Sequence, residues 1–541
     1  MILQGFFICS EGFFDVKSMK NSSFSSFENL LSLHCINHLV CAYTHQNDNF
    51  DGGFMQYLSS SFEDNVKEMD KLLRVDNSFD LIRRPLKVGE LTLMFYYIDG
   101  FVKDEVMQRL MQYFLSLDKI GTADEFATRH VPYVEVETSN TFEALSLFVL
   151  SGAVVVFGSS FGDKGVVIDA RTYPARETSE PESDKVMQGA KDGFVETLIF
   201  NTALIRRRIR DPRLVMHYQN LGGASGTDTV VCYMDGIADA DYVAHIKQLL
   251  ARVKPASLTL GYQSLAEILI PRRWYNPFPK IRTIERPDAA AAQLMEGSVL
   301  VLCDTSPRVM VLPTSILDFL QETDDYYFPP LTGSYQRIIR LLASVMSLVL
   351  TPLWYLFLSH PMWLPPSLSF VIPQSPGALP ILLQLILAEL AVDGLKLASM
   401  NTPSMLSNSL SIIGGLILGD FAVTVGWLSP DVILYMAMVS IAAFSVKSQE
   451  LSYAIKFMRI ILLFLSALFG VWGFVAGLLF IPVCLVCNAT INGTHSYFYP
   501  LIPFSAKGLM RLLFRLRKTD FSTSGDLVKS TPRKHSQTKQ K

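Results

Sequence analysis

Apolar residues recur at helical spacing over residues 62–73, then alternate strand-like over 91–98. Asp99-Gly100 turns the chain into 104–115, where Val106, Leu110, Met111 and Phe114 share one helical face. The same plan returns later: 230–234 reads as a strand, Asp235-Gly236 as a turn, and 239–253 as a helix with Val243, Ile246, Leu249 and Leu250 on one side. Tyr-Tyr-Ile-Asp-Gly-Phe (96–101) and Cys-Tyr-Met-Asp-Gly-Ile (232–237) match in pattern, so two subdomains of related design are expected. Further strands are expected at 153–157, 166–169, 298–303 and 308–311, and a helix over 193–209. Residues 1–60, rich in Ser, Phe and Asn, show no sustained period and read as a disordered extension.

Beyond residue 337 the pattern changes. Apolar blocks cover 338–358, 379–392, 406–428, 432–446 and 459–486, and the second follows a Pro-rich stretch. Blocks of about 20 apolar residues are long enough to cross a bilayer as helices. Four full crossings, one partial block and both termini cytoplasmic are expected, with Arg337, Arg340, Lys447, Lys456 and Arg459 marking the inner side. The fold class is therefore an α+β or α/β N-terminal half of two related subdomains, followed by an all-α polytopic membrane domain. The divisions fall at 61–220, 221–330, 338–487 and a C-terminal segment, 488–541.

Composition sharpens this picture. Half of the 541 residues are hydrophobic and 18% are charged, and the charge is unevenly placed. Between 341 and 446 the acidic and basic residues are Glu389, Asp393, Lys396, Asp420 and Asp431; between 460 and 506 there are none. After residue 500, ten Lys or Arg face Asp520 and Asp526, so a net −3 chain ends in a +8 tail. Beside a membrane span, such a tail fits anionic lipid head groups better than nucleic acid.

Candidate chemistry is sparse. Residues 158–165 hold three glycines without the Lys-Ser/Thr ending of a phosphate loop, and the nine histidines show no zinc pair outside His34 and His38. Cys484-x-x-Cys487 closes an apolar run and reads as two small helix residues rather than a metal or redox pair. No enzyme, metal or cofactor is expected. Glu389, Asp393 and Asp420, set in or beside apolar blocks, are candidates for a carboxylate-lined cation path. The opposing reading puts them at interfaces, with Asp393 and Lys396 an i,i+3 pair. Gly415-x-x-x-Gly419 has the spacing of close helix packing. Arg206, Arg207 and Arg208 end a helix, either as a solvated run or as a subunit or lipid contact.

Several strings resemble the A-subunit family of bacterial spore-germination receptors. They are Arg171-x-Tyr173-Pro174-x-Arg176, Glu180-Pro181, Gly193-Phe194-x-Glu196, Asn201 and Leu204 to Ile209 with its three arginines. Where the family has an Arg-Gly-Pro-Arg-like string, this chain has Gln188-Gly189-Ala190-Lys191. Thr305-Ser306-Pro307, Asn401-Thr402-Pro403-Ser404, Leu418-Gly419-Asp420 and Pro500-Leu501-Ile502-Pro503-Phe504 resemble its stage V sporulation protein AF branch. The resemblance implies a multi-pass protein of the spore inner membrane and a homo-oligomer forming or supporting a channel for monovalent cations. It also implies germination receptor subunits or a small membrane partner beside it. A non-conducting scaffold, a nutrient receptor subunit and a transporter are the alternatives.

Overall fold

The computed structural model describes residues 56–514, apart from 118, 173–187, 224, 254–257, 271–275, 375–376, 402–411, 413, 489–490, 492–496, 499–500, 502–503 and 505. Most of the expected N-terminal extension, and Arg176, Glu180 and Pro181 of the signature strings, lie outside the described residues.

The first unit runs α1 (Phe62–Leu73), β1 (Leu81–Val88), β2 (Leu91–Ile98), α2 (Asp104–Leu115), β3 (Val136–Ser139), α3 (Phe142–Leu150), β4 (Val154–Gly158) and β5 (Gly165–Ile168). The second runs α4 (Leu198–Arg208), β6 (Leu214–Leu221), β7 (Thr227–Met234), α5 (Ala240–Ala251), α6 (Tyr262–Leu269), β8 (Arg282–Ile284), α7 (Pro287–Met295), β9 (Val299–Cys303) and β10 (Val309–Leu312). The sheet orders, β1-β2-β4-β5-β3 and β6-β7-β9-β10-β8, are the same order twice. The matched six-residue windows fall at equivalent places, where β2 and β7 end and the chain turns at Gly100 and Gly236, both at φ +81°. That backbone conformation suits glycine alone, which is why Asp-Gly recurs.

Every pairing is antiparallel, so each unit is α+β rather than a parallel α/β fold. Both faces of each sheet are nonetheless covered. Phe95, Val154 and Val156 pack on Leu110 and Phe114 of α2, while Tyr96, Val155 and Phe157 pack on Met69 of α1 and Leu145 of α3. Double-sided burial explains the unbroken apolar runs in the central strands. β1 escapes the sequence reading because it is an edge strand: Arg83, Arg84 and Pro85 face outward, where a missing ladder donor is tolerated.

The expected boundary at 220 is displaced. β6 pairs with β7 over its whole length, and α4 buries Leu204 and Ile205 against the second sheet. A cut at 220 would split a hairpin, so everything from about Phe194 onward belongs to the second unit.

The remaining helices form a bundle: α8 (Pro330–Ser359), α9 (Ile381–Asn401), α10 (Gly414–Thr424), α11 (Pro430–Phe444), α12 (Gln449–Val486) and α13 (Ala506–Leu513). By length and composition α8 and α12 are apolar and long enough to cross a membrane. α12 is, however, two arms. Gly470, at φ +57° and ψ −132°, breaks it, and a Cβ on Gly473 would lie 1.9 Å from the Leu465 carbonyl oxygen. Gly477 approaches Leu462 in the same way, so 471–486 folds back along 449–469 as a hairpin. The block expected as one span over 459–486 is this turn and its two flanks.

Contacts fix the course of the other segments. α8 leaves the sheets beside Asp325 and ends at His360, next to Gly470. α9 returns, Gln384 bonding to Ser429 at its start and Lys396 to Gln449 near its end. Gly414 lies against Leu395 and Gly426 against Ala378, so this segment climbs again. α11 descends until the Ala443 carbonyl meets Ser452, and the α12 hairpin goes out and back, its base packed on Phe278, Ile316 and Phe319. Six segments thus alternate in direction, and the chain leaves the bundle on the side of the sheets.

Candidate functional site

The bundle encloses charge. Glu389 of α9 is 9% exposed and Arg459 of α12 is 4% exposed on its side chain. Arg459 Nη2 donates to both Glu389 carboxylate oxygens at 2.6 Å, and Nη1 donates to the carbonyl and hydroxyl oxygens of Ser347 of α8 at 2.8 and 3.1 Å. One guanidinium therefore ties three helices together, using the planar fork that a lysine lacks. One turn along, Lys456 pairs with Asp393, and its ammonium lies 4.5 Å from the Tyr453 ring centre. Lys396 then bonds to Gln449 Oε1 at 2.5 Å and lies over the same Tyr453 ring at 4.7 Å. The rungs descend from mid-bundle towards the sheets. A cavity of about 250 Å³ lies beside them, lined among others by Thr351, Glu389, Asp393, Met436, Lys456 and Arg459.

Lys456 and Arg459, expected as marks of the inner side, face carboxylates inside the bundle. Glu389 and Asp393 are likewise paired within the chain rather than bare in a pore, and Asp393 pairs with Lys456 instead of Lys396. The signal for this was present in sequence: acids at i,i+4 on one apolar block face bases at i,i+3 on another. What it lacked was the identity of the facing block. Asp420 stands apart, exposed on a π-helical turn, Ile417–Phe421. Gly415 and Gly419 beside it would meet nothing within 4 Å as alanines; the close approaches are at Gly414 on Leu395 and at Gly473 and Gly477.

A second cluster joins the bundle to the sheets. Asp325 is fully buried and accepts from Arg340 at 3.0 and 3.1 Å and from Arg337 at 3.2 Å. Arg340 also reaches the Leu320 carbonyl at 2.6 Å and pairs with Glu322 at 3.3 Å. Burial raises Glu322 above the usual carboxylate range, with Arg340 opposing it. Arg337 and Arg340, expected as marks of the inner side, clamp the first bundle helix to its approach segment. Asp325 was missed because Asp324-Asp325 reads as a polar linker.

Most described residues of the arginine run and the signature strings make contacts within the chain. Arg206 is 0% exposed; it donates to Asp80 at 2.8 and 3.0 Å, to Ser78 and to the Leu214 carbonyl, locking the second unit to the first. Arg208 grips Asp192 through both oxygens at 2.6 and 2.7 Å, and Arg207 is exposed. A solvated run, or a lipid contact, fails at Arg206 because its charge is consumed between the sheets. Asn201 exchanges hydrogen bonds with the Val195 backbone, Phe194 bonds to the Glu285 carbonyl, and the Glu196 carbonyl accepts from Thr305. Gly193 is buried beside Phe194, and Arg171 pairs with Asp169 while its backbone bridges to Val102. Among the described residues no group of acidic, His and Cys side chains is arranged to hold a metal.

The model of the family described as Bacillus/Clostridium GerA spore germination protein matches residues 67–524. Stage V sporulation protein AF of Bacillus subtilis (strain 168) is 36% identical over 451 residues, covering 82% of this chain and 90% of that protein. Spore germination protein KA of the same organism is 28% identical, covering 85% of each chain. A crystal structure of the N-terminal domain of the A subunit of the Bacillus megaterium spore germinant receptor GerK3 aligns with a TM-score of 0.37 and 21% identity. It covers 48% of this chain and 97% of that one. With a family match across both sheet units and the bundle, and with 36% identity to one relative over 82% of its length, the chain belongs to the GerA spore germination protein family.

Proposed function

We propose that the chain serves spore germination as a multi-pass subunit of the spore inner membrane, assembling with further copies into a unit that conducts monovalent cations. The observation that carries this is the Glu389–Arg459–Ser347 cluster at mid-length of an apolar bundle. A charge at membrane depth costs roughly 2.5–3.5 kcal/mol on insertion scales, and a helix bundle needs none to pack. The dimensions support crossing: α9 and the outgoing arm of α12 each run about 20 residues, roughly 30 Å, the thickness of a hydrocarbon core. Six alternating segments bring Ala506–Leu513 out on the side of the sheets, the arrangement expected when both are cytoplasmic. Asp420 is exposed, beside two glycines with open space above them, which is how a surface for another copy is built. Asp420 is thus the carboxylate best placed to line a path between copies.

One observation favours a second reading, a scaffold that organises germination receptors or a small membrane partner without conducting. Glu389 and Asp393 are both neutralised within the chain.

Potassium efflux from liposomes holding the purified protein decides between them. Conduction predicts efflux that falls several-fold in Asp420→Asn and in the doubly neutral Glu389→Gln/Arg459→Gln, with assembly unchanged. A folded, oligomeric protein with no efflux would overturn conduction in favour of the scaffold.

A further inference from the structure

Three exposed tryptophans share one end of the bundle. Trp363 follows α8 and stacks on His360 at 4.9 Å; it is 53% exposed. Trp427, 62% exposed, sits where residues 426–427 lie against Gly377 and Ala378, just before α9 begins. Trp472, 81% exposed, comes two residues after the Gly470 turn, which itself adjoins His360. All three occupy the turns remote from the sheets. Trp354, one turn inside this level, is buried, and its indole donates to the Val371 carbonyl at 3.0 Å.

The connecting segment 361–380 is as unusual as the tryptophans. No Asp, Glu, Lys or Arg occurs from 341 to 388, so this turn, unlike a water-exposed loop, carries no charge. Its short helix Pro366–Val371 leaves Leu368 and Phe370 exposed. Measured along α8, Arg340 to His360 is about 30 Å at 1.5 Å per residue, one hydrocarbon thickness. Tryptophan prefers the head-group level, where its ring is in apolar surroundings and its N–H meets water.

We infer that Trp363, Trp427 and Trp472 form a belt seated in the lipid head-group region of the leaflet opposite the sheets, with residues 361–374 lying in that interface. The inference rests on the multi-pass reading above. The occupant of this apolar surface is lipid because the surface is continuous with the charge-free flanks of α8 and the α12 hairpin.

The test uses the full chain reconstituted in phosphatidylcholine–phosphatidylglycerol vesicles, with single-tryptophan variants retaining Trp363, Trp472 or Trp354. Lipids brominated near the head group should quench Trp363 and Trp472 at least twofold more than lipids brominated near the chain ends. Neither should reach Trp354 comparably. Stronger quenching by deep bromines, quenching by aqueous iodide alone, or protection from both quenchers would each overturn the belt; the last would show it covered by protein. Trp363→Phe in the otherwise unaltered chain must remove part of the shallow-quenched signal, a result independent of the multiple substitutions. Flotation with the vesicles is read separately: a protein that fails to float overturns the membrane reading itself, whereas one that floats without shallow quenching overturns only the belt.

Discussion

Replacing Glu389 with Gln keeps the shape of the side chain and removes its charge. Arg459 then retains its two bonds to Ser347 but is left a buried cation facing a neutral amide. Breaking a buried pair from one side costs about 3–5 kcal/mol, because the surviving charge has neither its partner nor water. Arg459→Met should cost a similar amount by stranding the carboxylate. If the two losses were independent, the double variant would lose about 6–10 kcal/mol. Since each loss is mainly the penalty of the charge left behind, Glu389→Gln/Arg459→Met should lose only about 1–3 kcal/mol. The assay is unfolding of the detergent-solubilised protein by a graded SDS titration, followed by circular dichroism, with the four proteins forming a double-mutant cycle. Single variants within 0.5 kcal/mol of wild type, or a double variant with additive loss, would refute the placement of this pair in a dry interior (the 0.5 kcal/mol limit being roughly the size of ordinary surface effects).

Arg206→Met should destabilise the protein by about 3–5 kcal/mol and loosen the two sheet units, read as faster amide exchange at β1 and β6; Arg207→Met, at an exposed position, should shift stability by about 0.5 kcal/mol or less. Gly473→Ala should prevent the α12 hairpin from closing and give aggregated protein on size exclusion, whereas Gly415→Ala should elute as wild type. The pH dependence of Asp288 has a definite sign. Burial alone would raise its pKa, but hydrogen bonds from Arg286 and Tyr327 outweigh this and hold it below the usual carboxylate range. The stability it adds is present above its unfolded pKa of about 3.9 and is lost as pH falls through the lower folded value. Asp288→Asn should therefore cost about 1.5–3 kcal/mol at pH 7, with the deficit shrinking below about pH 4 in thermal melts.

The sequence by itself determined the elements whose periods are local. α1 and β2 lie where the pattern predicts them, and the repeated Asp-Gly windows mark equivalent strand ends in two units. It also determined where charge stops, and so where the bundle begins. Only the tertiary structure decided which charges meet. Arg459 and Glu389 are 70 residues apart, and Arg206 and Asp80 are 126 apart. No local pattern shows that an arginine in an apolar block, or one in a basic run, is neutralised by a distant acid. The α12 hairpin was hidden for the opposite reason. A turn in solvent is announced by polar residues, but this one is flanked by Phe469, Val471 and Trp472, so the apolar run continues through it. Its marks are the glycines at 470, 473 and 477, needed for a left-handed backbone and a close approach of two arms, and their meaning emerges only once those arms are seen side by side.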